Sequence, residues 1–467
     1  MSEDTTATIK VPNGKNATLD LNGKTLTNKT GEHTIIVENG ATLTITGNGI
    51  VDNVSHGKGA IVNSGEVTLN GGTFKRSAEK GTYSPNGNGG NSWYTIANYG
   101  TMEINTGVTV ENAGGYSSMI RNGGDVTADC NLTIEGGNFA GGINTVKNDS
   151  FGVLTINGGN FSNTAQYVIM NWNKAEITAG TFRTLDTASA VLFTSAYGGD
   201  ANTIGKLSIS GGEFKHASDT QEMIVDHYDE TNKGNAVVTG GKFDADISKY
   251  IPTDYVQSAD GTVEKLGETN AVAKVGDTYY KTLADAVAAV QNGDTITLLK
   301  DVDLGNTVTV ANKTVTLNMA GKTIYNTKDL WDSKLNAWSL ISVRENGNLT
   351  ITGDGTLKAK ADDCYALDTQ ERSAKLTVEN GTVIGNISAI YAFLGEVTIN
   401  GGSYSIQQLN TNNVQDGYGL TINCYDQNYK EKTAKITVTG GYFAHFDPAN
   451  NKAEGVEIGR ASCRERV

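Results

Sequence analysis

Leu154-Thr155-Ile156-Asn157-Gly158-Gly159-Asn160-Phe161 is the stretch on which the fold of this chain turns. Its period is two. Leu154 and Ile156 point to one side, Thr155 and Asn157 to the other, as on a strand. Gly158-Gly159 then permits a sharp corner, and Phe161 re-enters the core on the next short strand. The unit, apolar-x-apolar-x-Gly-Gly-x-aromatic, recurs at 67–74, 132–139, 207–214, 397–404 and 436–443. Residues 175–182 carry Ala179 in place of the first glycine, and 236–243 keep Gly240-Gly241. Looser copies begin at Leu43, Met102, Leu349 and Leu376. Phe139, Phe161 and Phe182 lie 22 and 21 residues apart, and the steps on to Phe214 and Phe243 are 32 and 29. A repeat of that length indicates a solenoid. The 3.6-residue period of a helical repeat is missing from the units.

Short strands, glycine corners and only four prolines predict an all-β chain in which each coil stacks on the last. A second column of apolar strands ends in asparagine at Asn39, Asn63, Asn98, Asn122 and Asn148. Asparagines at one corner of successive coils can bond to each other as an amide ladder. A polar ligand groove is the other reading of that column, and its register with the core pattern favours the ladder.

These units resemble the right-handed parallel β-helix repeat regions, of pectin-lyase-like fold, in large bacterial cell-surface proteins of Gram-positive gut anaerobes. The likeness covers residues 5–456. It is carried by the Gly-Gly-x-Phe units and by Leu19-Asp20-Leu21-Asn22-Gly23-Lys24-Thr25-Leu26 with its second copy from Leu317. Tyr280-Lys281-Thr282-Leu283-Ala284-Asp285-Ala286-Val287 is the third motif. The resemblance implies two tandem right-handed parallel β-helix solenoids and says little about activity.

The chain has 467 residues, room for two domains. Residues 1–246 read as a first β-helix of eight or nine coils, truncated at its N-terminus. Residues 247–278 read as exit strands, hairpins and linker, with turns at Asp260-Gly261 and Gly276-Asp277. Residues 279–456 read as a capping α-helix and a second β-helix of about six coils. In the helix, Thr282 is the cap and Asp285 stands three residues on. Leu283, Ala286, Val287 and Val290 form one apolar stripe, expected to dock on the open end of the second solenoid and hide its edge. Residues 457–467 break the repeat, raise the arginine density, and match the translation of a sequencing adapter. They are set aside as an artefact.

Formal charge is −14. Nucleic acid is an unlikely partner for such a surface, since phosphate binding needs clustered Lys and Arg. An extracellular or cell-surface location suits it, as does weak calcium association; no other cofactor is implied. No apolar run in the sequence is long enough to span a bilayer. Cys130, Cys364 and Cys424 are widely spaced and read as buried free thiols.

Catalysis finds little support in the sequence. Outside 457–467 the only arginines are Arg76, Arg121, Arg183, Arg344 and Arg372, none beside an obvious acidic cluster. Asp362-Asp363 is the sharpest carboxylate pair, yet successive strand residues face opposite ways. Asp226, His227, Asp229 and Glu230 form a candidate metal loop, though a solvated charged loop is the plainer reading. The enlarged coils at 78–92, 186–205, 328–338 and 410–432 are where a rigid solenoid carries binding residues. Tyr83, Trp93, Tyr94, Tyr116, Trp172, Trp331 and Trp338 lie in or next to enlarged coils and are the candidate ligand-binding aromatics, since Trp and Tyr faces stack on sugar rings. The plainer reading is that they pin the loops to the solenoid. The ranking is then a non-catalytic, adhesin-like or glycan-binding surface module, with glycans or host-surface molecules as partners. A polysaccharide lyase or glycoside hydrolase comes second, and a structural spacer third.

Overall fold

The structure, a computed structural model, describes residues 1–55, 57–77, 93–112, 117–124, 126–185, 190–196, 205–219, 221–227, 234–408 and 420–448. The chain is all-β and right-handed parallel β-helical, and it divides into two units, Met1–Lys265 and Leu266–Val467.

In the first unit each coil contributes three short strands. Those of the apolar-x-apolar segment pair coil to coil, as Cys130–Ile134 with Gly152–Ile156 and on to Lys174–Ile177. Those carrying the aromatic form the next column, as Asn138–Gly141, Asn160–Asn163 and Thr181–Thr184. The third column is a nine-stranded parallel sheet from Ile9–Val11 to Glu222–Val225. All of these pairings are in register, so every inward residue stacks on its counterpart.

The interior is therefore built of columns. Phe139, Phe161, Phe182, Phe214 and Phe243 stack nearly parallel, with centroids 4.5–4.8 Å apart and planes within 9°. Phe74 occupies the same column two coils earlier, separated from Phe139 by Val110. The glycine corner is a requirement of that stack. Gly159 has φ +107°, and a Cβ there would sit 3.1 Å from Phe161 and 3.2 Å from Phe139.

The asparagine ladder is present from Asn63 to Asn171. Each Nδ2 donates to the next Oδ1: Asn63 to Asn98 (2.8 Å), Asn98 to Asn122 (2.7 Å), Asn122 to Asn148 (2.9 Å) and Asn148 to Asn171 (2.8 Å). Asn171 ends it on Thr194 Oγ1 at 3.0 Å. The expected first member, Asn39, is not part of it. Val37 pairs with Asn63, and Asn39 lies exposed in the following turn. The turn between Val37 and Thr42 is two residues longer than the one between Asn63 and Glu66, and an apolar side chain fills the corner.

Residues 247–278 carry two hairpins, with the Asp260-Gly261 and Gly276-Asp277 turns where the sequence puts them. Tyr255–Gln257 and Val263–Lys265 form an antiparallel hairpin within the first unit. Ala273–Val275 pairs antiparallel with Thr278–Tyr280 on one side and Thr295–Leu298 on the other, so it covers the edge of the first rung of the second unit. The α-helix, Leu283–Ala289, caps the second solenoid as expected and docks its apolar stripe on the core, while the hairpin strand Ala273–Val275 makes the bonds to the strand edge. Leu283, Ala286, Val287 and Val290 are buried in the second core, next to Val308 and Ala273. Thr282 Oγ1 accepts from the Asp285 N–H at 3.0 Å, as the spacing predicts. At the other end Lys313 Nζ donates to the carbonyls of Val287 (2.8 Å) and Ala288 (2.9 Å). A cation from the next coil thus satisfies carbonyls that a helix end leaves open.

The second solenoid has the same three-column plan: six parallel rungs from Thr295–Leu298 to Ala434–Val438, a six-stranded sheet and a five-stranded sheet. Only its last rungs carry the aromatic column, with Tyr404 stacked on Phe443 at 4.9 Å. The five-stranded sheet has no amide ladder. Its outward positions hold Ser342, Asp368 and Tyr391 in register.

Candidate functional site: an aromatic groove on the second solenoid

The five-stranded sheet of the second unit is where aromatics gather. Trp331, Trp338, Tyr365, Tyr391 and Phe393, with Asn336 and Gln370, line a groove of about 330 Å³. Trp331 meets Trp338 edge-on at 4.6 Å and Tyr365 at 5.3 Å. Tyr365 leans on Tyr391 at 4.8 Å, and Tyr391 is 6.3 Å from Phe393. Trp331 remains 42% exposed, an uncommon state for a residue with so much apolar surface unless something covers it.

The groove is assembled from loop and sheet together. The loop that follows Asn326 brings the tryptophans. It is closed by reciprocal backbone bonds between Asp332 and Ala337, both 2.9 Å, and by Trp338 Nε1 donating to Asn336 Oδ1 at 2.7 Å. Its base is held by Asp363. That buried carboxylate accepts from the backbone N–H of Leu330 (2.9 Å), the N–H of Trp331 (3.0 Å) and Asn326 Nδ2 (2.6 Å). Asp363 therefore sets where Trp331 stands. Its neighbour Asp362 is exposed at φ +60° and accepts from Gln408 at 2.9 Å. The two carboxylates have separate partners; they lie in the turn before Tyr365–Thr369, so the strand alternation expected of them does not apply.

The polar component is Gln370. Its Nε2 donates to Asp368 Oδ2 at 2.6 Å. Asp368 is fully buried in the sheet, in register with Ser342 and Tyr391. Burial pushes its carboxyl above the usual carboxylate range, partly opposed by hydrogen bonds from Ser342 and Gln370. With the amide nitrogen directed to Asp368, the Gln370 carbonyl oxygen is left to accept from a hydroxyl in the groove.

The remaining candidates lie elsewhere. Trp93 packs on His33 (4.5 Å) and Tyr94 (5.4 Å). Trp172 packs on Phe193 (4.8 Å), which also meets Tyr167. Tyr83 and Tyr116 lie outside the described residues, as do Asp229 and Glu230. His227 Nδ1 is 3.1 Å from Asp226 Oδ1, both partly exposed. Among the described residues no three metal-ligating side chains converge.

Two arrangements in the first unit escape a reading of the sequence. Arg121 is paired with Asp149 from the next coil, with Nε and Nη2 each 3.0 Å from Oδ2, and Lys147 reaches the same oxygen at 2.8 Å. This single carboxylate is 28 residues away in the chain and adjacent across the stack. Burial alone would raise the Asp149 carboxyl, but Lys147 and Arg121 outweigh it and hold it below the usual range. Arg121 also lies over Tyr94, at 5.3 Å.

The second arrangement is His33. Its Nδ1 accepts the Gly59 N–H at 3.0 Å. Burial, reinforced by nearby Lys58, lowers its pKa to about 4. The unfolded chain takes up this proton near pH 6.5 and the folded one only near 4. The stability His33 supports is thus present above pH 6.5 and is lost as pH falls through that window. The ring is half exposed, so solvent reduces the effect to about 1 kcal/mol. His33→Asn keeps an acceptor but cannot titrate. Its urea midpoint should fall less than the wild-type one between pH 7.5 and 4.5, and equal falls would refute this role.

No family model matches the chain, and no curated protein matches it. Among solved structures, the PL6 family alginate lyase AlyGC and a point mutant of it align over 94% of this chain and 81% of theirs. Both are 11% identical, with TM-scores of 0.19 for AlyGC and 0.22 for the mutant. Likenesses this distant carry no argument about the chemistry of this chain.

Proposed function

We propose that this protein is a non-catalytic glycan-binding module of the cell surface, and that the groove at Trp331 and Trp338 is its binding site. The observation that carries the reading is the groove itself. Two indoles and three further aromatics form a surface on which sugar rings stack, and Asn336 and Gln370 stand beside it to bond hydroxyls. The loop is tied down on several sides, so little ordering remains to be done on binding. The acidic charge and the tandem solenoids support display outside the cell, and calcium remains a candidate accessory ion.

The full chain is incubated with immobilised plant, mucin and bacterial glycans, with and without calcium. Retention and the release of new reducing or unsaturated ends are scored together. Retention without cleavage is the expected result, and Trp331→Ala should weaken it by about 2 kcal/mol, roughly thirtyfold. Unchanged retention in that variant would remove the groove from the reading, and cleavage would overturn the non-catalytic assignment.

A further inference from the structure

The second unit also carries a cation cluster that the groove alone leaves unused. Arg372, Lys430, Lys432 and Lys435, with Tyr429, line a cleft of about 700 Å³. In a chain of formal charge −14, four cations on one concavity are an unusual concentration. Lys430 is paired with Asp426 at 2.6 Å. Glu396, which also lines the cleft, is paired with Lys375 at 3.6 Å and stands in register beside Lys435 on the neighbouring strand. Arg372, Lys432 and Lys435 make no ion pair with any described residue. Cations gathered in a concave site focus a positive potential on what enters it.

The local backbone supports the same picture. The short helix Asp426–Lys430 ends with Lys432 at φ +60°, its N–H bonded to the Tyr429 carbonyl at 2.9 Å. Gly or Asn is the usual occupant of such a left-handed terminus. A lysine there is conformationally costly and places one more ammonium at the cleft.

The cleft and the aromatic groove are made by the same coils. One coil supplies Gln370 to the groove and Arg372 to the cleft. The next supplies Tyr391 and Phe393 to the groove, then Gly395 to the cleft. Phe393 stacks on Tyr425 at 5.2 Å, and Tyr425 leads directly into the helix that delivers Lys430.

We propose that groove and cleft are two subsites of one binding surface for an acidic glycan, a polymer whose sugars bear carboxylate or sulfate groups. Sugar rings stack on Trp331, Trp338 and Tyr391. Anionic substituents reach Arg372, Lys432 and Lys435, and the Arg372 guanidinium offers the paired donors that match a carboxylate or a sulfate. This inference rests on the groove being a glycan site, and the experiment separates the two.

Retention of the full chain is compared on dextran, polygalacturonate and chondroitin sulfate, which are neutral, carboxylated and carboxylated-plus-sulfated respectively, at 50 mM and 500 mM NaCl. The wild type should prefer the acidic polymers over dextran by at least about tenfold at low salt, with the margin shrinking at high salt. Polygalacturonate preferred identifies the carboxylate as the recognised group; chondroitin sulfate preferred identifies the sulfate. The variant R372Q/K432Q/K435Q should lose about tenfold on the acidic polymers and nothing on dextran. The control K15Q/K29Q/K206Q changes three exposed lysines of the first unit and the same net charge, and should behave as wild type. Acidic retention that survives the first variant, or falls equally in the control, overturns the proposal while leaving the groove intact. Acidic retention that survives Trp331→Ala but not the charge variant overturns the joint site and the groove together.

Discussion

Asp363→Ala should cost about 2–4 kcal/mol of stability and abolish most glycan retention, although Asp363 does not line the groove. The carboxylate accepts from the N–H groups of Leu330 and Trp331 and from the Asn326 amide. Alanine leaves these donors without partners in a place where Asp363 itself is only 7% exposed, and buried donors left unmade cost about 1–3 kcal/mol each before the loop relaxes. Relaxation then frees Trp331 from its position over Tyr365, which is why binding should fall with stability. Asp363→Asn should be intermediate, since its amide group places a donor against a donor on one side. Asp362→Asn, at an exposed left-handed position that asparagine tolerates, should lie within about 0.5 kcal/mol of wild type. Urea denaturation and hydrogen exchange at 327–338 measure the first effect, and glycan retention the second. Equal behaviour of the Asp362 and Asp363 variants would refute the clamp.

Phe161→Ala should be the most destabilising single change in the first unit, by about 3–5 kcal/mol. The ring is 1% exposed and stacked at 4.6 Å on Phe139 and 4.8 Å on Phe182. Its removal opens a cavity that the in-register strands on either side cannot close, because each is fixed by bonds to its neighbouring coil. Phe161→Leu, which keeps most of the volume, should cost less than half as much. A solenoid contacts only its neighbouring coils, so protection should be lost first in residues 130–184 and less in 16–69. Uniform loss of hydrogen-exchange protection across the first unit would show that the coils unfold as one body.

The repeat is legible because its information is local. Leu154 and Ile156 inward, Thr155 and Asn157 outward, a glycine corner and a phenylalanine can all be read within eight residues. Stacking such units in register leads to the asparagine ladder and the phenylalanine column with little further choice. Asn39 is misread for the same reason, since a two-residue difference in turn length moves it out of the corner that Val37 fills. Thr282 and the stripe from Leu283 are likewise local features, and the helix forms where they place it. What the helix covers is a tertiary matter: the hairpin at Ala273–Val275 already occupies the edge.

The groove is only half legible. Trp331 and Trp338 stand out in an enlarged coil, but Tyr365, Tyr391 and Phe393 read as ordinary strand residues, and Asp363 reads as half of a carboxylate pair. So do Arg372 and Lys435 read as scattered surface charges. Their meeting depends on which outward residue stacks on which, as Tyr365 on Tyr391 and Trp331 on Tyr365, and on loops whose lengths no repeat prescribes. By itself the sequence determined a stacked β solenoid, because inward positions repeat and burial selects their register. The tertiary structure alone decided the site, because outward positions are free to vary. Only the stacking of particular coils brings three tyrosine and phenylalanine side chains and two tryptophans into one groove.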